Sequence, residues 1–239
     1  TLSALADFGV TARWLDERRL AVPGGHHYRP CPYRVEGDYS QAAFPAVLGA
    51  VRGSVTVTGL RPDSLQGDAA ILDILARCGA NFTRTGDEVR FEASPLRATA
   101  IDLAACPDLG PILMVLGLFC EGDTVITNAG RLRIKESDRI AAMQEELAKF
   151  GGQVLAKGET VTVKGLGGAL RAPTQPLNSH NDHRVAMALA IAAWAAGLPA
   201  CLEDAGAVAK SWPTFFADMA QGLDARWQEA CPPAAGVKL

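Results

Sequence analysis

The sequence predicts an α/β (α+β) protein built from repeats of about 70 residues. Two observations carry this. The pattern L-A-x-[FC]-G occurs at Leu5–Gly9, Leu75–Gly79 and Leu147–Gly151, at nearly constant spacing, and an alternating stretch follows each copy. An apolar stretch ending at Gly and running into short β-branched residues also recurs, at 53–57, at 122–126 and more loosely at 197–202. Self-similarity at such a period is the signature of a repeated supersecondary unit.

Taken in order, residues 1–9 read as the end of a helix, and Arg19 to Val22 alternate as a strand does. A long apolar helix follows Glu36-Gly37-Asp38-Tyr39-Ser40, ends at Gly53 and leads into the strand Val55–Val57. The polar cluster Gln66-Gly67-Asp68 opens the next helix, which closes at Gly79 before the strand Glu88–Phe91. The second copy starts its long helix after Cys106-Pro107-Asp108 and its strand after Gly122. Arg133-Ile134-Lys135-Glu136-Ser137-Asp138-Arg139 then leads into Ile140, Met143, Leu147 and Phe150, an apolar stripe at helical spacing, with Ser137 or Asp138 able to cap it. Thr160–Val163 is the strand. The third long helix follows His180-Asn181-Asp182-His183-Arg184, and Ala209-Lys210-Ser211-Trp212-Pro213 precedes a final helix near Thr214. Gly53, Gly122 and Gly197 are each expected at a helix C-terminus, where a left-handed backbone carries no Cβ penalty.

The unit thus reads helix, strand, loop, helix, strand, strand. Residues 1–30 match only its second half, which implies a parent chain extending N-terminally, because a repeat cannot bury its apolar face alone.

A net charge of −3 and pI near 5.8 leave no positive surplus for nucleic acid or an anionic membrane. The apolar run Val185–Leu198 is too short to span a bilayer. The six cysteines form no C-x-x-C pair and are expected as small buried hydrophobes in a reducing cytoplasm.

Equivalent helix ends in a repeat point the same way, so the three long helices should bring their N-termini together. Each offers unpaired N–H groups and partial positive charge, a ready anion site. Asp38, Asp108 and Asp182 have the plainer reading of ordinary N-caps, and the charged 133–139 run that of a solvated turn.

At these same residues a family is recognisable. Glu36-Gly37-Asp38, Gln66-Gly67-Asp68, Pro107-Asp108-Leu109-Gly110-Pro111, Arg133 to Arg139, Asn181 to Arg184, and Ala209 to Pro213 occur in the order and spacing of the enolpyruvyl transferases, and the chain resembles the C-terminal half of EPSP synthases from about Phe8 to Gln221. The resemblance implies βαβαββ units with helices inside and sheets outside, forming one domain of a two-domain fold. Residues 1–35 would be the end of a first domain and 36–239 the second, with the missing N-terminal domain as the partner across a cleft.

It also implies the reaction, in which the 5-hydroxyl of shikimate 3-phosphate attacks C2 of phosphoenolpyruvate and phosphate is lost, with no cofactor and no metal. By motif position Asp108 resembles the base at the hydroxyl and Glu136 the acid at C3. Lys135 resembles the lysine on the phosphoshikimate side. Arg139, Arg184 and Lys210 resemble the phosphoenolpyruvate clamp, with His183 in support. Four residues before Lys135, Arg131 stands where many members carry Asn, at a substrate-contact position. The isolated chain is expected to be inactive. Two rivals are the sister transferase acting on UDP-N-acetylglucosamine and a non-catalytic repeat module, against which the many charged residues argue.

Overall fold

The computed structural model describes residues 1–222, 228–231 and 236–238. Residues 223–227, 232–235 and 239, the tail of the expected second domain, lie outside the described residues. The chain divides into two compact units, 1–36 and 37–239.

In the first unit, helix α1 (Leu2–Asp7) is followed by a short antiparallel hairpin, β1 (Arg13–Trp14) with β2 (Leu20–Ala21). Asp16 closes the hairpin turn by accepting from the backbone N–H groups of Arg18 and Arg19, both at 2.9 Å.

The second unit repeats one topology. Strand β6 (Ala100–Asp102) leads through α4 (Gly110–Phe119) to β7 (Asp123–Thr127), and α5 (Arg139–Lys149) leads to the hairpin β8 (Gln153–Lys157) and β9 (Thr160–Lys164). Their sheet runs β6-β7-β9-β8, with the first pair parallel and the others antiparallel. The third copy is the same: β10 (Leu177–Asn178), α6 (His183–Ala196), β11 (Cys201–Glu203), α7 (Phe215–Gly222), β12 (Gln228–Cys231) and β13 (Gly236–Lys238), in the order β10-β11-β13-β12. The copy from residue 37 onward has α2 (Tyr39–Arg52), β3 (Val55–Val57), α3 (Ala70–Arg77), β4 (Asn81–Thr85) and β5 (Glu88–Glu92), ordered β3-β5-β4. The βαβαββ unit is therefore present in full twice.

Helices α4 and α6 lie inside because their composition leaves no polar face. All ten residues of α4 are buried, as are nearly all of α6, and a helix apolar all round must be surrounded by protein. Strands show the opposite pattern, with β5 and β7 burying alternate residues against the helices. Two glycines set how closely helix and sheet approach. A Cβ on Gly49 would stand 2.8 Å from the Val55 side chain, and one on Gly117 would stand 3.0 Å from that of Val163.

The inner helices run the same way. Arg52 at the end of α2 donates from Nη1 to the Trp194 carbonyl near the end of α6 at 2.6 Å. Arg184 at the start of α6 reaches Ser40 at the start of α2.

The L-A-x-[FC]-G copies turn out to be helix stops with one geometry. In each, Gly has positive φ and donates to the preceding Ala carbonyl, while the next residue donates to the Leu carbonyl: Gly79→Ala76 at 2.9 Å with Ala80→Leu75 at 2.9 Å, and Gly151→Ala148 with Gly152→Leu147 likewise. This is the Schellman motif. We expect Gly79→Ala, where φ is +86°, to cost about 1–2 kcal/mol in urea unfolding. A neutral result would show that the motif is not strained by a side chain.

Of the glycines expected to close the long helices, Gly53 and Gly197 are C-caps, but Cys120 caps α4 and Gly122 lies two residues further on. Cys78, Cys106 and Cys120 are buried and free. Cys201 departs from expectation because it is disulfide-bonded. The expectation for Cys231 concerns a side chain outside the described residues. No helix among the described residues is long and apolar enough to cross a membrane.

Candidate active site

Four helix starts meet at one end of the inner bundle. Asp38 and Asp182 are true N-caps, accepting from Ser40 N at 2.8 Å and Arg184 N at 2.9 Å. Asp138 caps α5 through Ile140 N and Ala141 N. Asp108 behaves differently: it sits in the 3-10 turn Pro107–Leu109 and its side chain makes no cap bond. Its carboxylate is left free for other partners, and three cations take it.

Arg139 is the hub. Its side chain is 1% exposed, yet it touches three carboxylates. Nε donates to Asp182 Oδ2 at 2.8 Å, Nη1 to Asp108 Oδ1 at 3.2 Å, and Nη2 to Glu136 Oε2 at 2.5 Å and Asp182 Oδ1 at 3.2 Å. Ser137 completes Asp182 with a hydroxyl at 3.1 Å. These four bonds to carboxylates offset the cost of burying the guanidinium.

Lys135 Nζ lies 3.0 Å from Asp108 Oδ1, and Arg184 Nη2 donates to Asp108 Oδ2 at 3.3 Å and to Ser40 Oγ at 3.0 Å. Arg184 Nη1 is buried with no hydrogen-bond partner. Burial by itself pushes the Asp108 carboxyl up, but Arg184, Lys135 and Arg139 outweigh it and hold the group below its ordinary value. For Asp182 burial likewise opposes, and the Arg139 bonds win.

Glu136 Oε1 stands 3.5 Å from His183 Nδ1. Burial, then Arg184, lower the His183 pKa against the opposing pull of Glu136 and Asp182. Lys210 donates from Nζ to the carbonyl of Asn181, one residue from Asp182. Gln66 fastens the α2 start by donating to the Gly37 carbonyl and accepting from Tyr39 N, both at 2.9 Å.

Asp108, Lys135, Glu136, Arg139, His183 and Arg184 thus share one contact network, and Lys210 borders it. Arg131 is not brought in: it is exposed and makes no hydrogen bond or ion pair among the described residues. Asp182 and Ser40 are members that sequence reasoning did not place in the site. The signal for Asp182 was present, but a cap already accounted for it.

Glu136, Asp182 and His183 each place a ligand atom within 4.8 Å of the others. Arg139 already bonds two of these carboxylates, so a divalent cation there would face a guanidinium. A second group, Glu145, Glu146 and His180, centres on a Glu146 that already holds Lys149 and the N–H of Asn178.

The repeated βαβαββ unit with a charged cradle at the inner helix starts is the architecture of an enolpyruvyl transferase domain. NikO of Streptomyces tendae, an enolpyruvyl transferase, superposes with a TM-score of 0.69 at 20% identity over 92% of this chain and 51% of that one, a likeness of fold alone. The match to an EPSP synthase from Acinetobacter baumannii is closer, with a TM-score of 0.80 at 25% identity over 91% of this chain and 52% of that one. The family model for EPSP synthase (3-phosphoshikimate 1-carboxyvinyltransferase) matches residues 1–219, and the chain belongs to that family. It is 39% identical over 218 residues to the 3-phosphoshikimate 1-carboxyvinyltransferase of Clostridioides difficile strain 630, covering 91% of this chain and 49% of that protein. With the Clostridium beijerinckii protein of the same name it is 40% identical over 219 residues, covering 91% and 50%. The chain spans about half the length of the curated relatives it matches.

Proposed function

We propose that this chain forms one wall of an active site that transfers the enolpyruvyl group of phosphoenolpyruvate to the 5-hydroxyl of shikimate 3-phosphate. In that reading residues 36–239 belong to one domain of a longer two-domain enzyme, and the opposite wall comes from the part of that enzyme the chain does not span. The observation that carries it is Arg184: one guanidinium nitrogen is fixed by Ser40 and Asp108, while the other is buried and unpartnered where the helix N-termini converge. An unsatisfied buried donor costs on the order of 1–3 kcal/mol, and an anion would satisfy it.

In this reading Arg184 and Lys210 hold phosphoenolpyruvate, and Lys135 faces the phosphorylated shikimate. The hydroxyl oxygen bonds to C2 as its proton passes to Asp108, and C3 gains a proton from Glu136. Loss of phosphate from C2, with return of a proton from C3, then leaves the enol ether. Asp108 is a weak base while three cations hold it ionised; bound anions would draw on those cations and raise its proton affinity. Arg139, 1% exposed and bonded to Asp108, Glu136 and Asp182, keeps these carboxylates in register for the transfers.

The test is a titration of isotope-labelled chain with phosphoenolpyruvate at millimolar concentration. Side-chain signals of Arg139, Arg184 and Lys210 should shift saturably, and Arg184→Gln should weaken binding about tenfold or more. Silence at all three residues would remove the reading.

A further inference from the structure

Asp68 is a half-buried carboxylate beside the helix starts that the proposed chemistry does not use. It sits in the 3-10 turn Gly67–Ala69, between Gln66, which fastens the α2 start, and the body of α3. The turn is pressed against its neighbour: a Cβ on Gly67 would collide with the carbonyl oxygen of Ala105, just ahead of the Pro107–Leu109 turn that carries Asp108. The chain here cannot easily retreat. Asp68 Oδ1 is buried and accepts no hydrogen bond. A carboxylate in that position has lost water and gained nothing for one of its oxygens.

The charges that act on it come from the α2 cap, the Pro107–Leu109 turn, α6 and the segment before α5. Asp38 from the α2 cap and Asp108 are like charges; Arg184 from α6 and Lys135 from the segment before α5 are opposite charges. Cys106 faces it as well, with its thiol pushed up to about 11 by burial, Asp68 and Asp102. Burial, then Asp108, raise the Asp68 carboxyl to about 6, against the pull of Arg184 and Lys135.

The balance depends on two cations that the proposed function assigns to anion binding. We propose that Asp68 is a positioning residue that takes up a proton when an anion enters the cradle, so that anion binding and proton uptake are linked. An anion beside Arg184 and Lys135 offsets the charges that keep Asp68 ionised and adds a like charge of its own. The sign follows directly. The ionised form opposes the anion and the neutral form does not, so binding tightens as pH falls through the Asp68 transition. The inference rests on reading the cradle as an anion site, and deepens it.

Sulfate is the probe, because it does not titrate near neutral pH and any proton taken up belongs to the protein. Calorimetry of the 239-residue chain in buffers of different ionisation enthalpy should give an uptake at pH 6.5 that exceeds that of Asp68→Asn by about half a proton per sulfate. At pH 8 the variant should bind sulfate several-fold more tightly than the parent, and at pH 5.5 equally. A role in holding the turn's shape alone would weaken binding at every pH. In labelled parent protein, which needs no variant to fold, the Asp68 carboxyl transition should move up by about one pH unit on saturation with sulfate. Binding with the same proton uptake in both proteins, or an unmoved transition, overturns this proposal alone. Absence of sulfate binding in both proteins overturns the anion cradle, and the proposal with it.

Discussion

Replacing Arg139 by methionine should cost about 3–5 kcal/mol of stability at pH 7, as read by urea unfolding. The side chain it removes is 1% exposed, and its main partner, Asp182, is fully buried. Methionine fills much of the volume but leaves Asp182 with only the Ser137 hydroxyl and the Arg184 N–H. A loss of that size is a large part of a domain's whole stability. The pH dependence identifies the cause. In the parent, the Asp182 pKa is depressed, so its contribution is present above the unfolded value and is lost as pH falls through the folded one. In the variant an unpaired buried carboxyl titrates upward, and its penalty appears only as pH rises through that higher value. The deficit should therefore shrink between pH 7 and pH 4.5. A deficit that is the same at both would mean that lost packing, not an orphaned charge, is responsible.

What the sequence made legible follows from how local each cause is. The Schellman stops at Gly9, Gly79 and Gly151 are written within six residues, because every bond they need closes between the last helical turn and the residue after the Gly. The burial of α4 is legible for the same reason: no polar residue occurs between Pro111 and Phe119. The first strand of each unit was not legible from its own residues. Ala100–Asp102 and Leu177–Asn178 are too short to show alternation, and they exist because β7 and β11 offer them parallel edges. Only the family resemblance implied them.

The site was legible where one residue does one thing. Asp108 read by itself as an ordinary cap, and only the family resemblance made it an active-site carboxylate; the 3-10 turn denies it a cap bond, and three cations pair with it instead. Asp182 does both. Capping α6 accounts for its presence locally, while its pairing with Arg139, 43 positions away in sequence, is a tertiary fact with no local trace. Arg131 shows the reverse limit. Its position in the motif put it among the contacts, yet nothing in the described residues draws its guanidinium in.

The second large effect concerns turnover. Supplied with phosphoenolpyruvate and shikimate 3-phosphate, the 239-residue chain should release no phosphate above a blank, while still binding phosphoenolpyruvate at millimolar concentration. Both halves of that expectation come from the same geometry. The cations and carboxylates that would hold one reactant are assembled on this chain alone, so weak binding needs nothing further. Rate needs more, because holding two reactants in line can contribute effective molarities on the order of 10⁵–10⁸ M, and one open wall cannot fix a second substrate against the first or keep water away. The chain covers about half the length of the relatives whose names carry the activity, consistent with one wall of two. Phosphate release within tenfold of the Clostridioides difficile relative, measured side by side, would show that this domain carries the whole reaction. In that event Arg184→Gln should abolish most of the release, because the unpartnered nitrogen it deletes is the site's most direct claim on the leaving phosphate.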